Sequence, residues 1–157
     1  MVKPELIGYN KTLILEDFNC GKDEINDFLK NLAVRQEKER ITKIFAFHLQ
    51  NRVIAYTAVF CSHLYFKLPA LEKEFRVPGI CIGQLGVDLT FQKRGLGFLM
   101  IKHCISLANT VGEYSACRIL YCEAFDEAMD YYEKHKFILV KKRPNRNLMF
   151  LDLNIPL

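Results

Sequence analysis

The sequence predicts an α/β fold: a mixed, mostly antiparallel sheet of six to seven strands with helices on both faces, in one domain over residues 1–157. Three observations carry that expectation. The first is a strand–loop–helix unit between Cys81 and Val111. An apolar run interrupted by Gly83 and Gly86 leads into a short basic glycine loop. Leu96, Leu99, Met100, His103, Cys104, Leu107, Ala108 and Val111 then recur at spacings of three and four, one face of a helix. The second is that apolar runs of strand length stand on either side of this unit, bounded by turn residues. The third is size. A chain of 157 residues, half hydrophobic and a quarter charged, can bury one core and is too apolar to stay disordered.

Composition narrows the function classes. There are 22 Lys and Arg against 18 Asp and Glu, a net charge of +4 that permits a phosphate-bearing ligand or RNA without demanding either. Met1-Val2-Lys3-Pro4-Glu5 leads into a mixed segment, unlike a secretory leader, and Val53 to Cys61 is too short to span a bilayer. No membrane partner is expected. Cys20, Cys61, Cys81, Cys104, Cys117 and Cys122 show no C-x-x-C spacing, and most stand among apolar residues where thiols act as small hydrophobes. That favours the cytoplasm over a disulfide or zinc framework, and no metal is expected.

In chain order, Leu13-Ile14-Leu15 reads as an irregular first strand within Leu6 to Leu15, and Phe18-Asn19-Cys20-Gly21 as a tight bend. Lys22-Asp23-Glu24 opens a helix with acids in its first turn and Ile25, Phe28, Leu29 and Leu32 as its apolar stripe. Ile44 to Leu49 and Val53 to Cys61 form an antiparallel hairpin whose turn uses Asn51's tolerance of positive φ. Leu64 to Pro78, with two prolines and mixed charge, reads as a loop holding a short element at Leu71 to Phe75. After the central unit, Arg118 to Glu123 is a fifth strand. A short helix capped by Asp126 runs through His135, and Phe137 to Lys142 and Asn147 to Leu153 pair about Pro144-Asn145.

The central loop is where chemistry first shows. A strand, a glycine loop and a helix start aim backbone N–H groups and the positive end of a helix dipole at one point. Gly95 and Gly97 leave no Cβ to block a phosphate, and Lys93 and Arg94 supply charge, so a pyrophosphate site is expected. The lack of Gly-x-x-x-x-Gly-Lys-Ser/Thr argues against a nucleoside triphosphate P-loop. A dinucleotide fingerprint lacks its third glycine and its acidic residue. What the stretch resembles is the acetyl-CoA loop of the GNAT superfamily of N-acetyltransferases, Gln/Arg-x-x-Gly-x-Gly/Ala, with Gln92, Gly95 and Gly97 on its fixed positions.

A second signature extends the resemblance across nearly the whole chain. Ala124 to Phe137, ending Tyr131-Tyr132-Glu133-Lys134-His135-Lys136-Phe137, is similar to the family's Ala…Phe-Tyr-Glu-x-x-Gly-Phe, with Lys136 in place of its glycine. Within the superfamily, Phe18-x-Cys20-Gly21 and the Gln92 to Gly97 loop resemble the acetyltransferase toxins of toxin–antitoxin pairs, whose substrates are aminoacyl-tRNAs. The resemblance implies acetyl-CoA as cosubstrate, lying in a split between the fourth and fifth strands. The backbone of Leu85, Gly86 and Val87 would hold pantetheine like an added strand, a bulge there pointing an N–H at the thioester oxygen. Gln92, Lys93, Arg94, Gly95, Leu96, Gly97 and Phe98 would hold the pyrophosphate. Tyr132 would be the catalytic group at the leaving sulfur. A ribbon–helix–helix antitoxin is the partner such a toxin implies, and a homodimer is an assembly open to it.

The residues bear on the acceptor as well. Some superfamily members carry a glutamate on the fourth strand as base; here Gly79-Ile80-Cys81-Ile82-Gly83-Gln84 has no carboxylate, and Cys81 falls about where it would be. Glu123 and Asp88 are substitutes, with a strand-end surface charge the plainer role for each. Without a base, a weakly basic amine is favoured: a lysine is about 0.04% neutral at pH 7, an α-amine near pKa 8 about 10%. An aminoacyl ester is less basic still. Arg35, Lys38, Arg40, Lys93, Arg94, Lys141, Lys142, Arg143 and Arg146 are the candidate RNA footprint. Transfer to a protein N-terminus, a lysine or a small amine stays open, as does a GNAT domain that binds acetyl-CoA as a sensor without turnover.

Overall fold

A computed structural model of the chain describes residues 3–155; Met1 and Val2, where the reading of the N-terminus began, lie outside them. Among the described residues seven strands form one sheet: β1 (Glu5–Gly8), β2 (Lys43–Leu49), β3 (Arg52–Phe66), β4 (Phe75–Val87), β5 (Ile119–Ala124), β6 (Ile138–Lys141) and β7 (Asn147–Asp152). Their order is β1-β2-β3-β4-β5-β7-β6. β4 and β5 pair in parallel, whereas β1–β2, β2–β3, β5–β7 and β6–β7 are antiparallel, the mixed and mostly antiparallel sheet that was expected. The helices are α1 (Asp23–Asp27), a π-helical turn (Phe28–Leu32), α2 (Ala33–Lys38), α3 (Leu96–Tyr114) and α4 (Met129–Lys134). Two compact units are built from these: the chain up to Phe60 with Gly83–Ile101, and Cys61–Ile82 with the chain from Lys102 onward.

In the first unit the β2–β3 turn is made by Gln50 (φ 47°) and Asn51 (φ 67°), two successive left-handed residues that match the twist of a tight hairpin. β1 lies upstream of the patch that predicted it. Glu5–Gly8 pairs with Phe45 to His48, while Leu13-Ile14-Leu15 makes only one bridge, from Ile14 to Arg52. Its outward and inward alternation is real, with Leu13 and Leu15 buried and Ile14 exposed, but β1 already occupies the outer edge of β2. Helices cover both faces. Tyr56 donates its hydroxyl to the Ile25 carbonyl of α1 at 2.6 Å, while its neighbour Ala55, pointing the opposite way, packs with Leu96 and Met100 of α3. The apolar stripe of the first helix departs from expectation at Leu32, which is 48% exposed while Ala33 is buried. A π turn holds more residues than an α turn, so the stripe slips by one position across it.

In the second unit, strand replaces much of the loop expected at Leu64 to Pro78: β3 runs to Phe66 and β4 starts at Phe75. Leu64 and Phe66 pack on a core of Leu68, Val77, Cys81, Ile119, Tyr121, Leu148 and Phe150, and that burial overrides the local turn signals. β4 pairs with β5 from Gly79↔Ile119 to Ile82↔Cys122 and then runs on to Val87. Gly79 is required here, since a Cβ would collide with the Ile119 carbonyl. Arg118 grips Asp152 through Nε (2.7 Å) and Nη2 (3.0 Å), tying the start of β5 to the end of β7. Asn145 (φ 55°) turns the β6–β7 hairpin. Asp126 does not cap the helix it precedes. Its carboxylate instead accepts from Nδ2 of the fully buried Asn147 at 2.6 Å, a donor with more to lose if left unpaired.

Candidate active site

The glycine loop is assembled from the end of β4. Asp88, placed by sequence as a strand-end surface charge, is only 3% exposed. Its carboxylate accepts from the Asn19 amide (3.1 Å), the Thr90 amide (3.0 Å) and the Thr90 hydroxyl (2.6 Å). Burial opposes its charge, but those hydrogen bonds and the charge of Arg52, 3.9 Å away, outweigh it, and the carboxyl is held below the usual range. A 3₁₀ turn at Leu89–Phe91 follows, with the Phe91 amide bonded to the Asp88 carbonyl.

Gln92 then acts as a strut. Its Nε2 donates to the Cys20 carbonyl (3.0 Å) and the Val87 carbonyl (2.9 Å), so the side chain is committed to the protein. Lys93 (φ 62°) and Gly95 (φ 85°) are both left-handed, which carries the chain through the loop and into α3. The Leu99 amide is bonded to the Gly95 carbonyl at 3.1 Å, so Leu96, Gly97 and Phe98 form the first turn of a 19-residue helix. A Cβ built on Gly95 would meet nothing within 4 Å, so this residue is present for its φ and faces open space. Arg94 lies over the Phe91 ring at 5.3 Å, and Phe98 is 45% exposed.

Leu85, Gly86 and Val87 end β4. Gly86 is buried, and a Cβ there would come within 2.7 Å of Ile25, 3.2 Å of Phe18 and 3.4 Å of Cys20. Its lack of a side chain therefore lets α1 and the Phe18–Gly21 bend press onto the strand. Beside the same helix a cleft of about 620 Å³ is lined by Glu24, Asp27, Phe28, Asn31, Leu32 and Gln84. The sequence did not show this cleft, because it depends on where the π turn places Leu32.

Tyr132 belongs to the second unit, on α4. It is buried, edge-on to Tyr131 (centroids 5.6 Å apart) and Phe137 (5.2 Å), and its hydroxyl hydrogen-bonds the Cys122 thiol. Burial pushes its phenol well above its ordinary value, with Cys122 and Tyr131 adding to the shift. It is therefore a proton-bearing group at any physiological pH. Lys136, in the family's glycine position, adopts φ 72°, so the turn survives the replacement. The Tyr131 hydroxyl is buried and has no hydrogen-bond partner among the described residues.

None of the base substitutes is poised as one. Burial pushes the Cys81 thiol up to about 12, which keeps it protonated. Glu123 is paired with Arg143 at 3.4 Å, and Asp88 is held ionised in its network. Of the basic residues, Arg35 and Lys38 end α2 and Lys93 and Arg94 occupy the loop, whereas Lys141, Lys142, Arg143 and Arg146 lie at the β6–β7 turn. Arg146 stacks over Phe125 at 4.3 Å. Residues that sequence reasoning missed are Asn19 and Asn26, whose hydrogen bonds hold the bend; a buried Asn on the apolar side of α1 was the only signal available.

No protein-family model matches the chain. Among solved structures it is similar to a tyrosine-to-phenylalanine mutant of the AtaT toxin bound to the C-terminus of the antitoxin AtaR and acetyl-CoA. There the TM-score is 0.83 at 22% identity, covering 98% of this chain and 95% of that one. It is similar also to AtaT complexed with acetyl-methionyl-tRNAfMet (TM-score 0.85, 20% identity, 97% and 96% covered). A tyrosine-to-phenylalanine mutant of KacT gives 0.85 at 20% identity, with 98% and 96% covered. The likeness spans both compact units and establishes the GNAT-type fold of these proteins.

Proposed function

We propose that the chain, taken as one domain over residues 1–157, is an acetyl-CoA-dependent N-acetyltransferase that acts on the α-amine of aminoacyl-tRNA. The observation that carries this is the Gln92–Phe98 loop, where a left-handed Lys93 and a left-handed Gly95 that faces open space lead into the first turn of α3. That geometry suits a pyrophosphate. It occurs in a fold shared with AtaT, of which one structure contains acetyl-CoA and another acetyl-methionyl-tRNAfMet.

Acetyl-CoA supplies the activated acetyl group as a thioester. The chain's own residues bind, orient and move protons. The Leu85–Val87 backbone holds the pantetheine arm, and the amides of Gln92 to Phe98, with the charges of Lys93 and Arg94, hold the pyrophosphate. Tyr132 donates a hydrogen bond to the departing sulfur. A free phenol near 10 is a weaker acid than a thiol near 8.5, so full transfer is uphill by roughly 2 kcal/mol, and burial steepens it. The role of Tyr132 is thus to stabilise charge through a hydrogen bond, with its proton following as products relax. Exchanging the Cys122 thiol for the substrate sulfur replaces one sulfur partner with another.

The absence of a poised base selects the acceptor. An aminoacyl ester is substantially neutral at pH 7, whereas a lysine is not. This reading implies a cytoplasmic protein, where charged tRNA and acetyl-CoA meet; among the described residues no helix is long and apolar enough to cross a membrane. It implies an antitoxin partner too, as AtaT has in AtaR. A second reading, transfer to a small cationic amine, has the Glu24 and Asp27 carboxylates of the cleft in its favour.

Acetyl transfer from labelled acetyl-CoA to a mixture of aminoacyl-tRNAs, deacylated tRNA and polyamines tests the proposal. Charged tRNA should be acetylated and deacylated tRNA should not. Replacing Arg35 and Lys38 with glutamine should weaken tRNA binding about tenfold with a shallower salt slope, leaving acetyl-CoA affinity unchanged. Brisk turnover on a polyamine with none on any aminoacyl-tRNA would overturn the substrate and keep the enzyme.

A further inference from the structure

The loop that would hold the pyrophosphate has little regular structure of its own. Two left-handed residues interrupt it, and Gln92, just before them, is anchored by the two carbonyls its side chain grips. One of those grips is the Cys20 carbonyl, so the loop's position depends on the Phe18–Gly21 bend. The bend touches the same segment twice more. The Asn19 carbonyl accepts from the Leu89 amide at 2.8 Å, and the Asn19 amide donates to Asp88.

One side chain on α1 braces the bend from its other side. Asn26 is 7% exposed. Its Oδ1 accepts from the Cys20 amide at 2.9 Å and its Nδ2 donates to Asn19 Oδ1 at 3.0 Å. Asn19 Oδ1 in turn accepts the Gly21 amide at 2.9 Å, which closes the turn at the left-handed Gly21 (φ 89°). Gly86 lets Phe18, Cys20 and Ile25 close onto β4, so the bend is pinned against the strand as well. A continuous path of hydrogen bonds thus runs from Asn26 through Asn19 and Cys20 to Gln92.

We propose that Asn26 is a positioning residue for the coenzyme loop, acting through the Asn19–Cys20 bend and Gln92 to aim the loop's amides before ligand arrives. Preorganisation of this kind lowers the cost of binding and leaves the chemical step alone. The proposal rests on the acetyl-CoA reading above.

The test uses two variants and two acyl donors. Asn26→Asp keeps the volume and the acceptor to Cys20, but sets a carboxylate oxygen against Asn19 Oδ1. Gln92→Met keeps the length of an exposed side chain and removes the amide. Each should raise the Kd for acetyl-CoA about tenfold, the worth of one or two hydrogen bonds, and Asn26→Asp should keep kcat at saturation within about twofold of the parent. The acetyl thioester of pantetheine, which has no pyrophosphate, should be used by Asn26→Asp with unchanged kcat/KM. The double variant should lose little more than either single one, since both cut the same path. Equal losses with both donors would mean general damage and overturn the proposal, as would parent-like acetyl-CoA affinity in Gln92→Met. Should Asn26→Asp fail to fold by thermal melting, Asn19→Ala carries the same comparison. A parent chain that binds no acetyl-CoA at all overturns the acetyltransferase reading and this proposal together; variants that bind like a competent parent overturn this one alone.

Discussion

Gly95 of the Gln92–Phe98 loop faces open space, whereas the Tyr132 phenol is buried and already hydrogen-bonded to Cys122. In the proposed function the first binds through main-chain dipoles, and its side chains Gln92 and Arg94 turn toward the protein, onto the Cys20 and Val87 carbonyls and the Phe91 ring. The other is a single side chain kept protonated by its surroundings. The contrast teaches what substitution can do in each. In the loop, damage comes from adding atoms or charge where none belong. At Tyr132, it comes from removing one oxygen.

The largest effect should come from adding to the loop. Gly97→Asp puts bulk and negative charge in the first turn of α3, against both the helix dipole and a pyrophosphate. Calorimetry should find acetyl-CoA binding abolished with circular dichroism and melting unchanged. Unchanged affinity would move the coenzyme elsewhere and break the comparison.

Removing the Tyr132 oxygen should come next. Tyr132→Phe should lower kcat by about 10²–10⁴ while acetyl-CoA still binds. Because burial raises its phenol far above the ordinary value, the parent's kcat should show no alkaline fall from this group up to about pH 10. An alkaline limb at lower pH that vanishes in Tyr132→Phe would contradict the environment described here.

A third effect is on the frame of the loop. Asp88 has a lowered folded-state pKa, so the stability it contributes is fully present above the unfolded carboxyl's value, about 3.9. It is lost as pH falls through the lower folded value. Asp88→Asn should destabilise the chain by about 1–3 kcal/mol at neutral pH, from lost charge-assisted hydrogen bonds. It should also flatten the acid limb of the melting temperature against pH. An acid limb identical to the parent's would remove Asp88 from the frame.

How much of this was legible differs between the regions for physical reasons. The strand–loop–helix unit and the Gln50–Asn51 hairpin were readable because their signals are local: periodicity, glycine and a residue tolerant of positive φ. The burial of Asp88 was not, since its partner Asn19 lies 69 positions away. The exposure of Leu32 depends on a π turn that no side-chain pattern marks. Strand at Leu64 to Phe66 wins over nearby prolines only through a core contributed by β5 and β7. Asp126, expected as a cap, is taken by Asn147, 21 positions on. Tyr132 was found through a family signature alone, and its thiol partner Cys122 belongs to a separate strand.

The smallest effect is the sharpest control. Tyr131 precedes Tyr132, so its side chain leaves the helix about 100° away from it. Its hydroxyl has no hydrogen-bond partner among the described residues, and its ring rests edge-on to His135 at 4.8 Å. Burial pushes this phenol up to about 12, so it too stays protonated at neutral pH. Protonation therefore does not separate the two tyrosines, but hydrogen bonding does. Tyr131→Phe removes an oxygen that gains nothing in the folded state, while keeping the ring that packs against Tyr132. Its kcat and KM should equal the parent's, and its melting temperature should be equal or slightly higher. A kcat loss as deep as that expected of Tyr132→Phe would mean that the orphan hydroxyl finds its partner only on the substrate. The acid would then be Tyr131, and Tyr132 a packing residue.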